Sequence, residues 1–94
     1  MRVGERKNFE WPMGDIGYAT VWPSYADALP VYNGDPCTIT HITHPDPNVR
    51  QTGVAGCRFD RHPNAILLIA HRFLLPRASE HVYPRSKALT LEIT

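Results

Sequence analysis

The sequence predicts a mainly β fold, a small five-stranded antiparallel SH3-like barrel or curled sheet with at most one short helix. The chain has 94 residues, too few to divide its apolar residues between two cores, so we expect a single domain over residues 1–94. Nine prolines are spread through it, and a proline inside a helix costs about 3 kcal/mol, which nearly excludes long helices. The short segments between prolines instead have the composition and alternation of strands.

The first half of the chain contains one predicted strand and the only predicted helix. The strand spans residues 17–22, and the residues 1–16 before it are left open as a loosely ordered arm. The helix spans residues 24–29, whose serine stands three residues before Asp27 as a capping pair, and Pro30 ends it after about one turn.

Four further strands are predicted in the rest of the chain. Residues 38–43 are rich in Thr and Ile, and their two isoleucines differ in parity, which predicts a bulge or a strand that covers two faces. Residues 54–60 place Ala55, Cys57 and Phe59 on one face with Arg58 opposed. Residues 65–70 are apolar on both faces, which also fits a buried helix, but the turn-forming residues before them favour a strand. Residues 88–94 alternate strictly, as a half-buried strand does.

The order of these pieces resembles an SH3-like small β-barrel over residues 32–76. The matching pieces are Tyr32-Asn33-Gly34-Asp35, the strands at 38–43, 53–60 and 65–70, and the tight connection at 71–76. The resemblance implies a turn of 3₁₀ helix at that connection. The eleven residues from Arg77 to Lys87, before the last predicted strand, are long for this fold. No single family within the class is matched, so the resemblance carries over no site residue.

Composition sets limits on location and partners. The longest unbroken apolar run, residues 65–70, is far shorter than the roughly 18 residues of a membrane span. The charged first residues have no apolar stretch behind them, so we expect a cytoplasmic protein that does not associate with membranes. Cys37 and Cys57 are too few for the disulfide framework of a secreted domain. We expect two buried thiols, with one disulfide as the alternative.

Aromatic residues in the acidic first half give the leading functional hypothesis. Residues 1–47 carry six acidic and three basic side chains. The candidate ligand-binding residues are Tyr18, Trp22, Tyr25 and Tyr32. Such a surface binds proline-rich or cationic peptides through ring stacking and cation–π contact. The alternative is that these rings form the core, since each buries about 150–250 Å².

Arginines in the second half give the alternative partner, a nucleic acid. Residues 48–94 carry seven basic and three acidic side chains, and the whole chain has eight Arg against two Lys. The candidate phosphate-binding residues are Arg58, Arg61, Arg72 and Arg77. Against this hypothesis, the net charge is +1 and the isoelectric point is about 7.9, below the value above about 9 that is typical of a dedicated binder.

Histidines and cysteines give the remaining hypotheses. Cys37, His41 and Cys57 would supply three zinc ligands, but the closely spaced Cys pair of a structural zinc site is missing, so we expect no metal and no cofactor. A small enzyme would need a cleft at a subunit interface, around His41 or His62 of a homo-oligomer. The sequence therefore favours a non-enzymatic module that binds a protein or peptide, with nucleic-acid binding and an oligomeric enzyme as alternatives.

Overall fold

The computed structural model describes residues 1–44, 48 and 53–77, and it confirms the mainly β class. Of these residues 53% lie in strands and none in an α-helix. The strands are β1 Arg6–Phe9, β2 Ile16–Trp22, β3 Ala28–Tyr32, β4 Pro36–Ile42, β5 Val54–Phe59, β6 Ile66–Ala70 and β7 Leu74–Pro76. They form one antiparallel sheet in the order β3-β2-β6-β5-β4-β1-β7. Within this part of the chain no helix is long and apolar enough to cross a membrane.

Seven strands are therefore seen where five were expected. Strands β2, β4, β5 and β6 confirm four predictions, and the 3₁₀ turn at His71–Phe73 lies where the SH3-like resemblance places one. The predicted strand at residues 88–94 lies outside the described residues. Strands β1, β3 and β7 were not predicted, and β1, within the segment left open as an arm, pairs with both β4 and β7. The sheet is not closed into a barrel, because β3 and β7 each have one neighbour among the described strands.

The predicted helix at residues 24–29 is wrong, and a tight turn into β3 takes its place. The amide of Val21 donates to Asp27 O at 2.9 Å, and that of Tyr25 donates to Val21 O at 2.8 Å. Ser24 Oγ accepts from the amide of Ala26, two residues on, which is the bond of a serine turn rather than of a helix cap. Tyr25 has φ 61°, outside the right-handed helical region. The pairing of β3 with β2 therefore determines the structure of this segment, although the sequence contains a helix-capping signal.

The predicted irregularity in residues 38–43 is confirmed. The register of β4 on β5 shifts between Ile39, which faces Cys57, and His41, which faces Gly56. The hydroxyl of Thr40, the residue at the bulge, donates to Gly56 O at 2.9 Å. The bulge therefore turns His41 onto the face of the sheet opposite the buried Ile39.

The core lies on one face of the sheet. It is built from buried side chains of all seven strands, namely Phe9, Ala19, Val31, Cys37, Ile39, Ala55, Cys57, Phe59, Leu67, Ile69 and Leu74. Phe9 and Phe59 meet edge to face, with ring centroids 6.1 Å apart. Both cysteine thiols are free and buried, as expected, and the alternative of a disulfide between them is not observed.

Candidate functional site

The face of the sheet opposite the core, which we call the outer face, holds the candidate site. Paired residues of antiparallel strands point to the same side, so the register identifies the outer-face residues. Trp22 of β2 pairs with Ile66 of β6, and Thr20 pairs with Leu68, which in turn pairs with Gly56 of β5. Tyr18 pairs with Pro30 of the edge strand β3.

None of the four candidate aromatic residues belongs to the core. The exposed fractions are 71% for Tyr18, 37% for Trp22, 62% for Tyr25 and 41% for Tyr32. The rings that fill the core are instead those of Phe9 and Phe59. The alternative in which the four rings are needed as the core therefore does not describe this fold.

Trp22 borders an apolar cleft on the outer face, which we call the Trp22 cleft. Its volume is about 240 Å³, and it is lined by Trp22, His41, Ile42, Thr43, Val54, Gly56, Ile66 and Leu68. The rings of Trp22 and His41 pack with centroids 5.0 Å apart and planes inclined by 48°. A Cβ on Gly56 would lie 3.2 Å from His41 Cβ and 3.2 Å from Ile66 Cγ2. Because Gly56 has no side chain, space remains between His41 and Ile66.

Tyr32 lies in a second region, the Tyr32 corner, formed with Arg61 and Asp35. The Arg61 guanidinium sits 4.4 Å from the centroid of the Tyr32 ring. It also makes two hydrogen bonds to Asp35, of 2.8 and 3.0 Å, and Asp35 Oδ2 accepts from the amide of Tyr32 at 3.0 Å. The Arg61 hydrogen bonds lower the pKa of Asp35, despite the opposing effect of burial. Arg61 therefore occupies both the aromatic face and the carboxylate that a cationic ligand would use.

The outer edge of β3 is blocked against a further strand. Pro30 has no amide N–H, and its carbonyl accepts from His62 Nε2 at 2.7 Å. The amide of Tyr32 donates to the Asp35 side chain, and its carbonyl accepts from the Asp35 amide at 2.9 Å. These bonds use the backbone groups that an added strand would need.

The four candidate arginines lie in three places rather than on one stripe. Arg61 belongs to the Tyr32 corner, and Arg72, on the 3₁₀ turn, sits 4.7 Å from the centroid of the Phe73 ring. Arg58 is exposed on β5 and Arg77 follows β7, and the charges of both help to lower the pKa of Asp60. The largest effect on Asp60 comes from Arg6, which the sequence did not single out and which makes two hydrogen bonds to that carboxylate, of 2.8 and 2.9 Å.

The candidate metal and enzyme residues are not brought together. Cys37 and Cys57 are in the core, whereas His41 is exposed on the outer face. In the part of the chain that the structure describes, no three His, Cys, Asp or Glu side chains are grouped to hold a metal ion. His41 Nδ1 lies 2.9 Å from Thr40 Oγ1, and His62 bonds Pro30, so both rings make contacts within the fold.

Comparisons of the chain with protein-family models, curated proteins and solved structures find no match. The site is therefore defined by its geometry. Sequence reasoning missed Gly56, Ile66 and Leu68 as cleft residues. The signal was present, because a strand with apolar side chains on both faces also presents apolar side chains on the side away from the core.

Proposed function

We propose that this protein is a non-enzymatic binding module that recognises a segment of another protein on the outer face of its sheet. A large apolar side chain of that segment fills the Trp22 cleft. The observation that carries the proposal is an exposed tryptophan beside an apolar depression of about 240 Å³ that is lined in part by a glycine. A partly exposed tryptophan beside a pocket is typical of the residues that dominate binding energies at protein interfaces.

The partner docks through side chains rather than by adding a strand. The amide and carbonyl of Tyr32 and the carbonyl of Pro30 are already bonded within the fold, so the β3 edge offers little to an extended peptide. Recognition by strand addition depends on such free backbone groups. The apolar outer face is left as the surface that a partner contacts.

The four aromatic residues divide into different roles in this proposal. Trp22 contacts the partner directly, and Tyr18 and Tyr25, both largely exposed, extend the surface on either side of it along the chain. Tyr32 supports the fold by holding Arg61. Binding therefore depends most on Trp22 and least on Tyr32.

The buried thiols support a cytoplasmic location. Cys37 and Cys57 lie on adjacent strands, and neither forms a disulfide bond. The hydrogen bond with Cys37, together with burial, raises the pKa of the Cys57 thiol, which keeps it in the unreactive protonated form. Paired free thiols of this kind are typical of a reducing compartment.

A phage-displayed library of random dodecapeptides tests the function. We expect the protein to enrich peptides that share a large apolar residue. Trp22→Ala and Gly56→Ala, the second of which adds a methyl group between His41 and Ile66 in the cleft, are expected to weaken binding of those peptides about tenfold or more. Met13→Ala truncates an apolar side chain that is 82% exposed in the loop before β2, and it serves as the control that should bind normally.

Thermal melts of each variant establish that it is folded before binding is compared. The proposal fails if the protein enriches no peptides. It also fails if both folded cleft variants bind the enriched peptides as tightly as Met13→Ala does.

A further inference from the structure

We propose that the side chain that fills the Trp22 cleft is a tyrosine or a tryptophan, whose O–H or N–H group donates a hydrogen bond to Nε2 of His41. This inference rests on the proposed function and adds the chemistry of the anchor, meaning the partner side chain that enters the cleft. Trp22 and the apolar walls supply most of the binding energy, and His41 determines which anchor is accepted.

The hydrogen bonds of His41 determine which of its two ring nitrogens carries the proton. Thr40 Oγ1 donates to Gly56 O at 2.9 Å, and a carbonyl oxygen can only accept. The hydroxyl has a single proton, so it accepts in its 2.9 Å contact with His41 Nδ1. In neutral His41 the proton is therefore on Nδ1, and Nε2 is a hydrogen-bond acceptor.

The packing of the imidazole ring turns Nε2 away from the backbone of β5. A Cβ placed on Gly56 would lie 3.2 Å from His41 Cβ and 3.3 Å from His41 Nδ1, so this edge of the ring rests against β5. Nε2 is on the side of the ring away from Cβ. His41 is exposed, and its ring packs against that of Trp22 with centroids 5.0 Å apart. A side chain that enters the cleft therefore meets Nε2 at the rim.

The other side chains that line the cleft offer no comparable acceptor. Thr43 Oγ1 already donates to Val54 O at 2.8 Å and accepts from the Val54 amide at 2.9 Å. The indole of Trp22 can only donate, and the remaining lining residues are aliphatic or glycine. Nε2 of His41 forms no hydrogen bond with any residue that the structure describes, so it is the acceptor that the cleft presents to a partner.

An aromatic side chain with one donor fits both parts of this site. Its ring fills the apolar cleft of about 240 Å³, and its O–H or N–H group satisfies Nε2 at the rim. Phenylalanine or leucine would fill the cleft but cover Nε2 without giving it a partner, which lowers the affinity. Lysine or arginine would bring a charge into a cleft that has no carboxylate among its described lining residues.

A protein segment fits this site better than a nucleic acid does. Bases also carry N–H donors, but the Trp22 ring packs against His41 and does not offer two open faces for base stacking. The net charge of the chain is only +1, which is low for binding a run of phosphates.

The selected dodecapeptides test the anchor. We expect them to share a tyrosine or a tryptophan. Replacing an anchor tyrosine by phenylalanine, or an anchor tryptophan by 3-benzothienylalanine, removes only the donor and should weaken binding to the wild type about fivefold, as for one neutral hydrogen bond. His41→Phe keeps a ring beside Trp22 but removes the acceptor, so it should bind both peptides of each pair equally. His44→Phe makes the same change at an exposed histidine outside the cleft and should keep the full difference.

An NMR spectrum of the free protein tests the position of the proton on His41. A long-range correlation of ring protons with ring nitrogens at neutral pH should show the proton on Nδ1. A proton on Nε2 instead overturns the inference. This spectrum and the paired peptides on the wild type need no variant, so they decide the question even if His41→Phe does not fold.

The outcomes separate this inference from the function on which it rests. Trp22-dependent peptides anchored by an aliphatic residue or phenylalanine overturn the proposed anchor and leave the binding module standing. Paired peptides that bind the wild type equally, or that a folded His41→Phe still distinguishes, do the same. Failure to enrich any Trp22-dependent peptide overturns both. A single-stranded oligothymidylate that binds more tightly than the peptides, in a His41-dependent way, overturns the inference in favour of a nucleic acid. Self-association that light scattering detects and Trp22→Ala abolishes overturns it in favour of a second copy of this chain.

Discussion

The Trp22 cleft and the Tyr32 corner each contain a partly exposed aromatic residue, and they differ in what the fold places beside that ring. At the corner, Arg61 covers the Tyr32 ring and bonds both oxygens of Asp35. At the cleft, Trp22 and His41 border an apolar depression that no side chain fills among the described residues. A surface aromatic residue next to a charge is thus a poor guide to a binding site unless its intramolecular partners are known.

The largest effect expected at the corner is the loss of Asp35. Asp35→Ala removes the acceptor of two Arg61 bonds and of the Tyr32 amide, and leaves that part-buried amide without its partner. We expect the free energy of unfolding to fall by about 2 kcal/mol, measured by urea denaturation. Asp27→Ala, at an exposed position in the turn before β3, is the control and should change it by less than about 0.5 kcal/mol. Equal effects of the two variants would contradict a structural role for the corner.

The pH dependence of stability gives the second test. The pKa of Asp35 is lowered in the folded protein, so its ionised form stabilises the fold above the unfolded pKa, and that stability is lost as pH falls through the folded pKa. We expect Asp35→Asn to be less stable than the wild type at neutral pH. The gap should close as pH is lowered below about 4, the ordinary range of Asp.

Asp60→Asn is the comparison for this titration. The pKa of Asp60 is also lowered, chiefly by hydrogen bonds from Arg6, but Asp60 is exposed, so its contribution should be smaller and should decrease with salt. A gap between Asp35→Asn and the wild type that stays constant from neutral to acid pH would show that the Asp35 charge does not stabilise the fold.

The difference between local patterns and long-range pairing explains how much of the fold could be predicted from the sequence. Strand β5 is predicted by its local pattern, because the buried Ala55, Cys57 and Phe59 are spaced two residues apart and the polar Arg58 between the last two is exposed. Strands β1 and β3 do not, since Arg6–Phe9 carries two charges and Ala28–Tyr32 contains a proline. They form because distant strands offer them pairing partners.

The site was less predictable because its decisive features are long-range. Arg61 and Asp35 are 26 residues apart in sequence, and Arg6 and Asp60 are 54 apart. Nothing in the local pattern indicates which carboxylate Arg61 or Arg6 bonds. The exposure of Trp22 likewise depends on the pairing of β2 with β6, which brings Ile66 and Gly56 beside it.

Tyr32→Ala and Tyr18→Ala have the smallest expected effects but test the comparison most directly, because the first should change mainly stability and the second mainly peptide binding. Tyr32→Ala removes the ring beneath Arg61, and we expect the free energy of unfolding to fall by about 1 kcal/mol, since a cation–π contact at a partly exposed site contributes about 0.5–1 kcal/mol. Peptide binding at the cleft should stay within about twofold of the wild type. Tyr18→Ala, whose side chain is 71% exposed, should leave stability nearly unchanged and weaken binding a few-fold. Urea denaturation and peptide titration of both variants measure the four quantities. If Tyr32→Ala weakens binding more than Tyr18→Ala does, the corner is part of the binding surface and the division between the two regions is wrong.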